Sequence, residues 1–151
     1  MVALKVVLAI STLCLIPTPI CPAQSLGERD TDFDIGLARH VTNPVGMVAH
    51  LTTTNTYPCE GYTLRTQTRW DKDTVTVNVL GLLRPSPCYQ TSAEATGTVF
   101  LGDMDRLTWY LRLQYRDGAD LYRIANAQRG LSAFPIHQTF TTMKMLPAER
   151  D

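Results

Sequence analysis

The segment "DTDFDIG" places three carboxylates at alternate positions, Asp30, Asp32 and Asp34. That spacing resembles the opening of a calcium loop, D-x-D-x-D-G, in which hard oxygen ligands surround a divalent cation. The match fails twice: Ile35 stands where the tight turn requires Gly, and Val41 where a bidentate Glu should close the loop. In a strand the same spacing turns Asp30, Asp32 and Asp34 outward, with Phe33 and Ile35 inward. A strand or an acidic leader is therefore the expected role, and neither a metal nor another cofactor is expected. Asp71 and Asp73 in "WDKD", and Asp103 and Asp105 in "GDMDR", read as turn residues.

Nucleophilic chemistry leaves no signature. The sequence holds no G-x-S-x-G and no H-E-x-x-H, and His40, His50 and His137 are scattered singly. Cys59 and Cys88 are read as a disulfide, which leaves no free thiol downstream of the N-terminal segment. A different constellation lies in "LTWYLRLQYRDGADLYRI". With Asp117-Gly118 as a two-residue turn, Tyr110, Arg112 and Arg116 alternate outward and Arg112 falls opposite Arg123. Like charges opposed across strands are destabilising unless something neutralises them. Tyr110, Arg112, Arg116 and Arg123 are thus the candidate binding face, for a protein partner's carboxylates or another anionic ligand.

The elements that must position these residues begin after an N-terminal export signal. One basic residue, Lys5, precedes the unbroken apolar run "VVLAISTLCLI", followed by Pro17, Pro19 and Pro22 and the small residues Ala23 and Ser25. This is the layout of a secretory signal peptide, expected to span residues 1–23; the run is too short for a membrane span. Cleavage removes Cys14, Cys21 and Lys5, so 14 basic residues become 13 against 14 acidic ones. A near-neutral chain gives no electrostatic argument for nucleic acid or for an anionic membrane.

Residues 24–46 read as a leader with a first strand, 47–143 as a β-domain, and 144–151 as a polar tail. Short alternating segments recur between Gly, Pro, Asp and Asn turns, with no capped helical run. The last of them is "AFPIHQTFTT". In the segment "YPCEGYTLRTQTRWDKDTVTVNVLGLLRPSPC", a Lys72-Asp73 turn sets Trp70 opposite Val75, Thr68 opposite Val77, Thr66 opposite Val79 and Tyr62 opposite Leu83. Arg65, Gln67 and Arg69 then face away from the apolar set. Extended to the open end, the same register makes Cys59 and Cys88 diagonal neighbours, within reach of a disulfide. Two hairpins with one apolar face each predict an all-β, immunoglobulin-like antiparallel β-sandwich of about seven strands.

The succession "YPCEGYTL", "VTVNVLGLL", "PC…A" and "WYLRLQYRDGADLYRI" resembles uncharacterised secreted bacterial β-sandwich proteins, over residues 57–124. The resemblance implies a fold and a compartment, secreted or periplasmic, and no activity. The expected function is a non-catalytic binding or protein-interaction module. An envelope structural protein assembling through sheet edges, and a small hydrolase using an acidic cluster, are the alternatives.

Overall fold

The computed structural model describes residues 32–41, 45–89, 91–103, 106–127 and 130–148. The segment read as a signal peptide, and Asp30, lie outside them. Among the described residues nine strands follow one another: β1 (Phe33–His40), β2 (Gly46–Tyr57), β3 (Thr63–Asp71), β4 (Thr74–Leu83), β5 (Ala93–Gly102), β6 (Thr108–Tyr115), β7 (Gly118–Ala127), β8 (Gly130–His137) and β9 (Thr141–Met145). They form one mixed sheet in the order β8-β7-β6-β4-β3-β5-β2-β1-β9.

The all-β expectation holds, and the sandwich does not. Parallel pairings of β4 with β6, β3 with β5 and β1 with β9 join the hairpins edge to edge. The shared edges place all the strands in one sheet instead of two stacked ones, and that sheet is nearly barrel-shaped. The segment expected as one closing strand, "AFPIHQTFTT", breaks at residues 138–140 into β8 and β9.

Period-two alternation fills the interior. Phe33, Ile35 and Leu37 from β1, Val75 and Val77 from β4, and Trp109, Leu111 and Leu113 from β6 are all buried. Burying one such large side chain contributes about 1.5–3 kcal/mol. The outward positions Thr74, Thr76 and Asn78 of β4 and Thr108, Tyr110, Arg112 and Gln114 of β6 are polar, whereas β1 places the small residues Gly36 and Ala38 between Asp34 and His40.

The first hairpin keeps its expected register from Trp70↔Val75 to Thr66↔Val79. A bulge then inserts Leu80 into β4, so that Arg65 pairs Gly81 and Thr63, not Tyr62, pairs Leu83. Gly81 takes φ 148, a conformation side chains with a Cβ rarely adopt. The inserted residue flips the alternation: Leu82 is buried and Leu80 is exposed. Cys59 and Cys88 lie beyond the strands and join the β2–β3 loop to the β4–β5 loop, with a Cα–Cα distance of 5.4 Å.

The second hairpin slips by two residues from its expected pairing. Arg116-Asp117 forms the turn, Arg116 adopting φ 52, and Tyr115 pairs Gly118. Arg112 accordingly faces Leu121, and Arg123 faces Tyr110; the expected Arg112–Arg123 opposition does not occur. Gly118 serves a packing need instead, because a Cβ there would lie 3.1 Å from Phe140 Cε1. A slip of two preserves which face each side chain occupies, whereas a slip of one would invert it.

No ladder joins β8 to β9 among the described residues; side chains from β7 and β1 span that opening instead. At one mouth, Asp120 of β7 binds the residues that connect β8 to β9. At the other, Arg39 of β1 donates to Asn126 Oδ1 of β7 at 2.5 Å.

Candidate functional site

Two polar arrangements stand out, one closed and one open. The closed one centres on Asp120, which occupies an inward position of β7 beside Tyr122 and Ile124 and is fully buried. A carboxylate there must be hydrogen-bonded or neutralised. Its Oδ1 accepts from Thr139 N at 2.8 Å and Thr139 Oγ1 at 2.7 Å. Its Oδ2 accepts from Phe140 N at 3.0 Å, Thr141 N at 2.8 Å and Thr141 Oγ1 at 2.6 Å. Burial pushes the Asp120 carboxyl up, but the hydrogen bonds from Thr139, Thr141 and Phe140 outweigh it and hold the group below its ordinary value.

Tyr122 extends this knot. Its hydroxyl lies 3.0 Å from Thr141 O and 2.7 Å from Thr141 Oγ1. Since Thr141 Oγ1 already donates to Asp120, Tyr122 is left to donate to the Thr141 oxygens. Burial pushes the Tyr122 phenol up, and the nearby Asp120 charge adds to that. His137 Nδ1 lies 3.6 Å from Asp120 Oδ1 and 3.0 Å from Ala119 O. A ring nitrogen facing a carbonyl must carry a proton, so the neutral ring is the Nδ1–H tautomer. An Asp–His pair beside two threonines has the composition of a nucleophilic site, but both threonine hydroxyl protons are committed to Asp120. The group fastens the β8–β9 corner.

The open arrangement is the outer face of β3, β4, β6 and β7. Parallel pairing of β4 with β6 sets the two hairpins side by side and aligns their outward residues in rows. Arg69 pairs Thr76, which pairs Arg112; Gln67 pairs Asn78, which pairs Gln114; Asp71 pairs Thr74, which pairs Tyr110, followed by Arg123. Arg65, Arg69, Arg112 and Arg123 are all exposed, and Asp71 is the only carboxylate among the outward positions of these four strands. Among the described residues no ion pair joins Arg65, Arg69 or Arg112 to an acid. Arg123 is steadied by the Phe134 ring, 5.0 Å from guanidinium carbon to centroid.

Of the face expected from sequence, Tyr110, Arg112 and Arg123 therefore share this surface. Arg116 sits apart in the β6–β7 turn, over the Tyr115 ring at 5.2 Å. It lines a cleft of about 580 Å³ with Asp32, Asp117, Thr139 and Phe140 at the end of the barrel that carries the Asp120 knot. Asp34 lies on β1 facing outward, Asp32 just precedes that strand, and no cluster of three or more metal-ligating side chains occurs among the described residues.

Sequence reading missed the contribution of Arg65 and Arg69 to the arginine face. Their outward direction was legible, but the β4–β6 pairing that brings them beside Arg112 was not. It also missed Asp120 as an organising residue; the available signal was an acid at an inward position followed by the Thr139 and Thr141 hydroxyls. No protein-family model, curated protein or solved structure matches the chain.

Proposed function

We propose that this chain is a non-catalytic binding module of an extracytoplasmic compartment, secreted or periplasmic, whose β3–β4–β6–β7 outer face takes an anionic partner. The observation that carries the reading is the set of exposed arginines that have no acidic partner among the described residues, on strands whose outward positions hold one carboxylate. An arginine that is already ion-paired has little to offer a partner. An unpaired one presents a planar donor fork matched to carboxylates or other oxyanions. The Cys59–Cys88 disulfide supports the compartment, because such bonds persist where thiols are not kept reduced.

The test is retention of the mature protein on immobilised dextran sulfate at low and high salt, beside a variant carrying Arg112→Glu and Arg123→Glu. The reading expects salt-sensitive retention of the wild type and none of the variant. Equal behaviour of the two proteins would sink it. Mass spectrometry of the exported protein tests the compartment: the expected chain begins at Gln24 with both remaining thiols masked, and a retained N-terminal segment or two free thiols would count against export.

A second reading rests on a separate observation. Strands β8 and β9 end the sheet, and β8 exposes Phe134 and Ile136. Such edges are templates for pairing with another chain, which fits an envelope structural protein that assembles through them. A strictly monomeric protein at high concentration would remove that alternative.

A further inference from the structure

We propose that the anionic partner of the outer face is an extended acidic polysaccharide, held through its uronate carboxylates by Arg69 and Arg112 and through its hydroxyls by Gln67 and Gln114. The proposal rests on the reading of this face as an anion-binding surface and names what the anion is attached to.

The register supplies the geometry. Gln67, Asn78 and Gln114 occupy adjacent strands in one row, and Arg69, Thr76 and Arg112 occupy the neighbouring row. Adjacent strands are about 4.8 Å apart, comparable to the advance of one sugar in an extended chain. A polymer lying across the strands therefore meets about one outward side chain per residue. Arg69 and Arg112 are two strand spacings apart, roughly 10 Å, and so meet carboxylates on alternate sugars. In a chain whose successive rings are flipped, alternate sugars are the ones that present their carboxylates on the same side.

The amide row adds what a charge row alone lacks. Each side-chain amide offers a donor and an acceptor, the same pair of functions a sugar hydroxyl offers, so the two match in either direction. Gln67 and Gln114 are exposed, so their amides are open to a ligand lying on the sheet, while Asn78 between them is half-buried with its Oδ1 shielded.

Single-stranded nucleic acid fits less well. Its binding surfaces combine a basic groove with exposed aromatic rings on which bases stack. Here Tyr110 is half-buried, and the Arg123 guanidinium lies over Phe134.

The experiment is titration calorimetry of the mature protein with polygalacturonate, poly-L-glutamate and single-stranded DNA, matched in charge and salt. The two carboxylate polymers differ in that one carries ring hydroxyls. Wild-type protein is expected to bind polygalacturonate at least about tenfold tighter than poly-L-glutamate, the margin of one or two net hydrogen bonds. A variant with Gln67→Ala and Gln114→Ala should lose that preference while keeping its affinity for poly-L-glutamate. A variant with Arg69→Glu and Arg112→Glu should lose both polymers. Circular dichroism of each variant establishes that it is folded. Equal wild-type affinity for the two carboxylate polymers, or tighter binding of DNA, overturns the polysaccharide assignment and leaves the anion-binding face standing. Failure to bind any of the three polymers overturns both.

Discussion

At the β8–β9 corner one carboxylate gathers its hydrogen-bond donors and is shut away from water, whereas on the outer face several guanidinium groups stand in water without an acidic partner among the described residues. Both regions are built from charged residues on the same strands, since β7 contributes Asp120 to one and Arg123 to the other. The alternation of the strand separates them. An inward charge must be saturated by the fold itself, and at Asp120 it is. An outward charge carries no such requirement, and its unpaired state leaves it available to another molecule. Charge inside this sheet reports on closure; charge outside it is left open to solvent.

Substitutions separate the two roles, and the largest effect falls on the inward charge. Asp120→Ala strands donors from Thr139, Phe140 and Thr141 at the barrel's closure. By analogy with breaking a buried polar network, unfolding free energy should fall by about 3–5 kcal/mol, as urea denaturation would measure. An unchanged midpoint would mean that the corner holds without its carboxylate. Replacing Cys59 and Cys88 by Ala opens a loop with a sequence separation of 29 residues. The loss there should be roughly 3–4 kcal/mol on the chain-entropy model, read from the same curves.

pH gives an intermediate effect with a definite sign. Asp120 is held below its ordinary value, so its contribution is fully present above the unfolded-state carboxylate pKa of about 3.9. That contribution is lost as pH falls through the lower folded-state pKa. Tyr122 shifts the other way: its contribution is complete below about pH 10, the ordinary phenol value, and is lost as pH rises through the higher folded-state pKa. Thermal melts from neutral to acid should therefore fall more steeply for the wild type than for Asp120→Asn, and parallel slopes would contradict the assignment.

Tyr122→Phe should cost about 0.5–1.5 kcal/mol, the net worth of one hydrogen bond. On the outer face, Arg112→Glu should move stability by less than about 0.5 kcal/mol, as exposed substitutions usually do, while changing what the protein binds. A large loss of stability there would show that the arginine serves the fold.

The sequence carried the class, the disulfide and the faces of both hairpins, because period-two alternation and turn chemistry are local. Trp70↔Val75 through Thr66↔Val79 was legible for that reason. The bulge at Leu80 was not, since one inserted residue leaves no compositional mark beyond Gly81. The Asp117-Gly118 signal pointed to the right turn one residue late, because Gly118 is set by the Phe140 ring rather than by the turn. What stayed out of reach was non-local: the parallel contacts of β4 with β6 and β1 with β9 decide barrel-like sheet against sandwich, and no short window of sequence encodes them. The arginine face was half visible for the same reason, as two outward stripes on hairpins whose adjacency was unknown.

The pairing of β1 with β9 has a consequence for how the protein is made. These are the first and last strands among the described residues, and Phe33↔Thr141 through Leu37↔Met145 are their contacts. Pairings between segments so distant along the chain form late, after the intervening loop entropy has been overcome. A chain emerging from a ribosome with its N-terminus first holds β1 against β2 alone until β9 arrives. Throughout that interval one edge of β1 has no partner, and the newborn sheet is most open to pairing with a neighbour just before its own last strand reaches it.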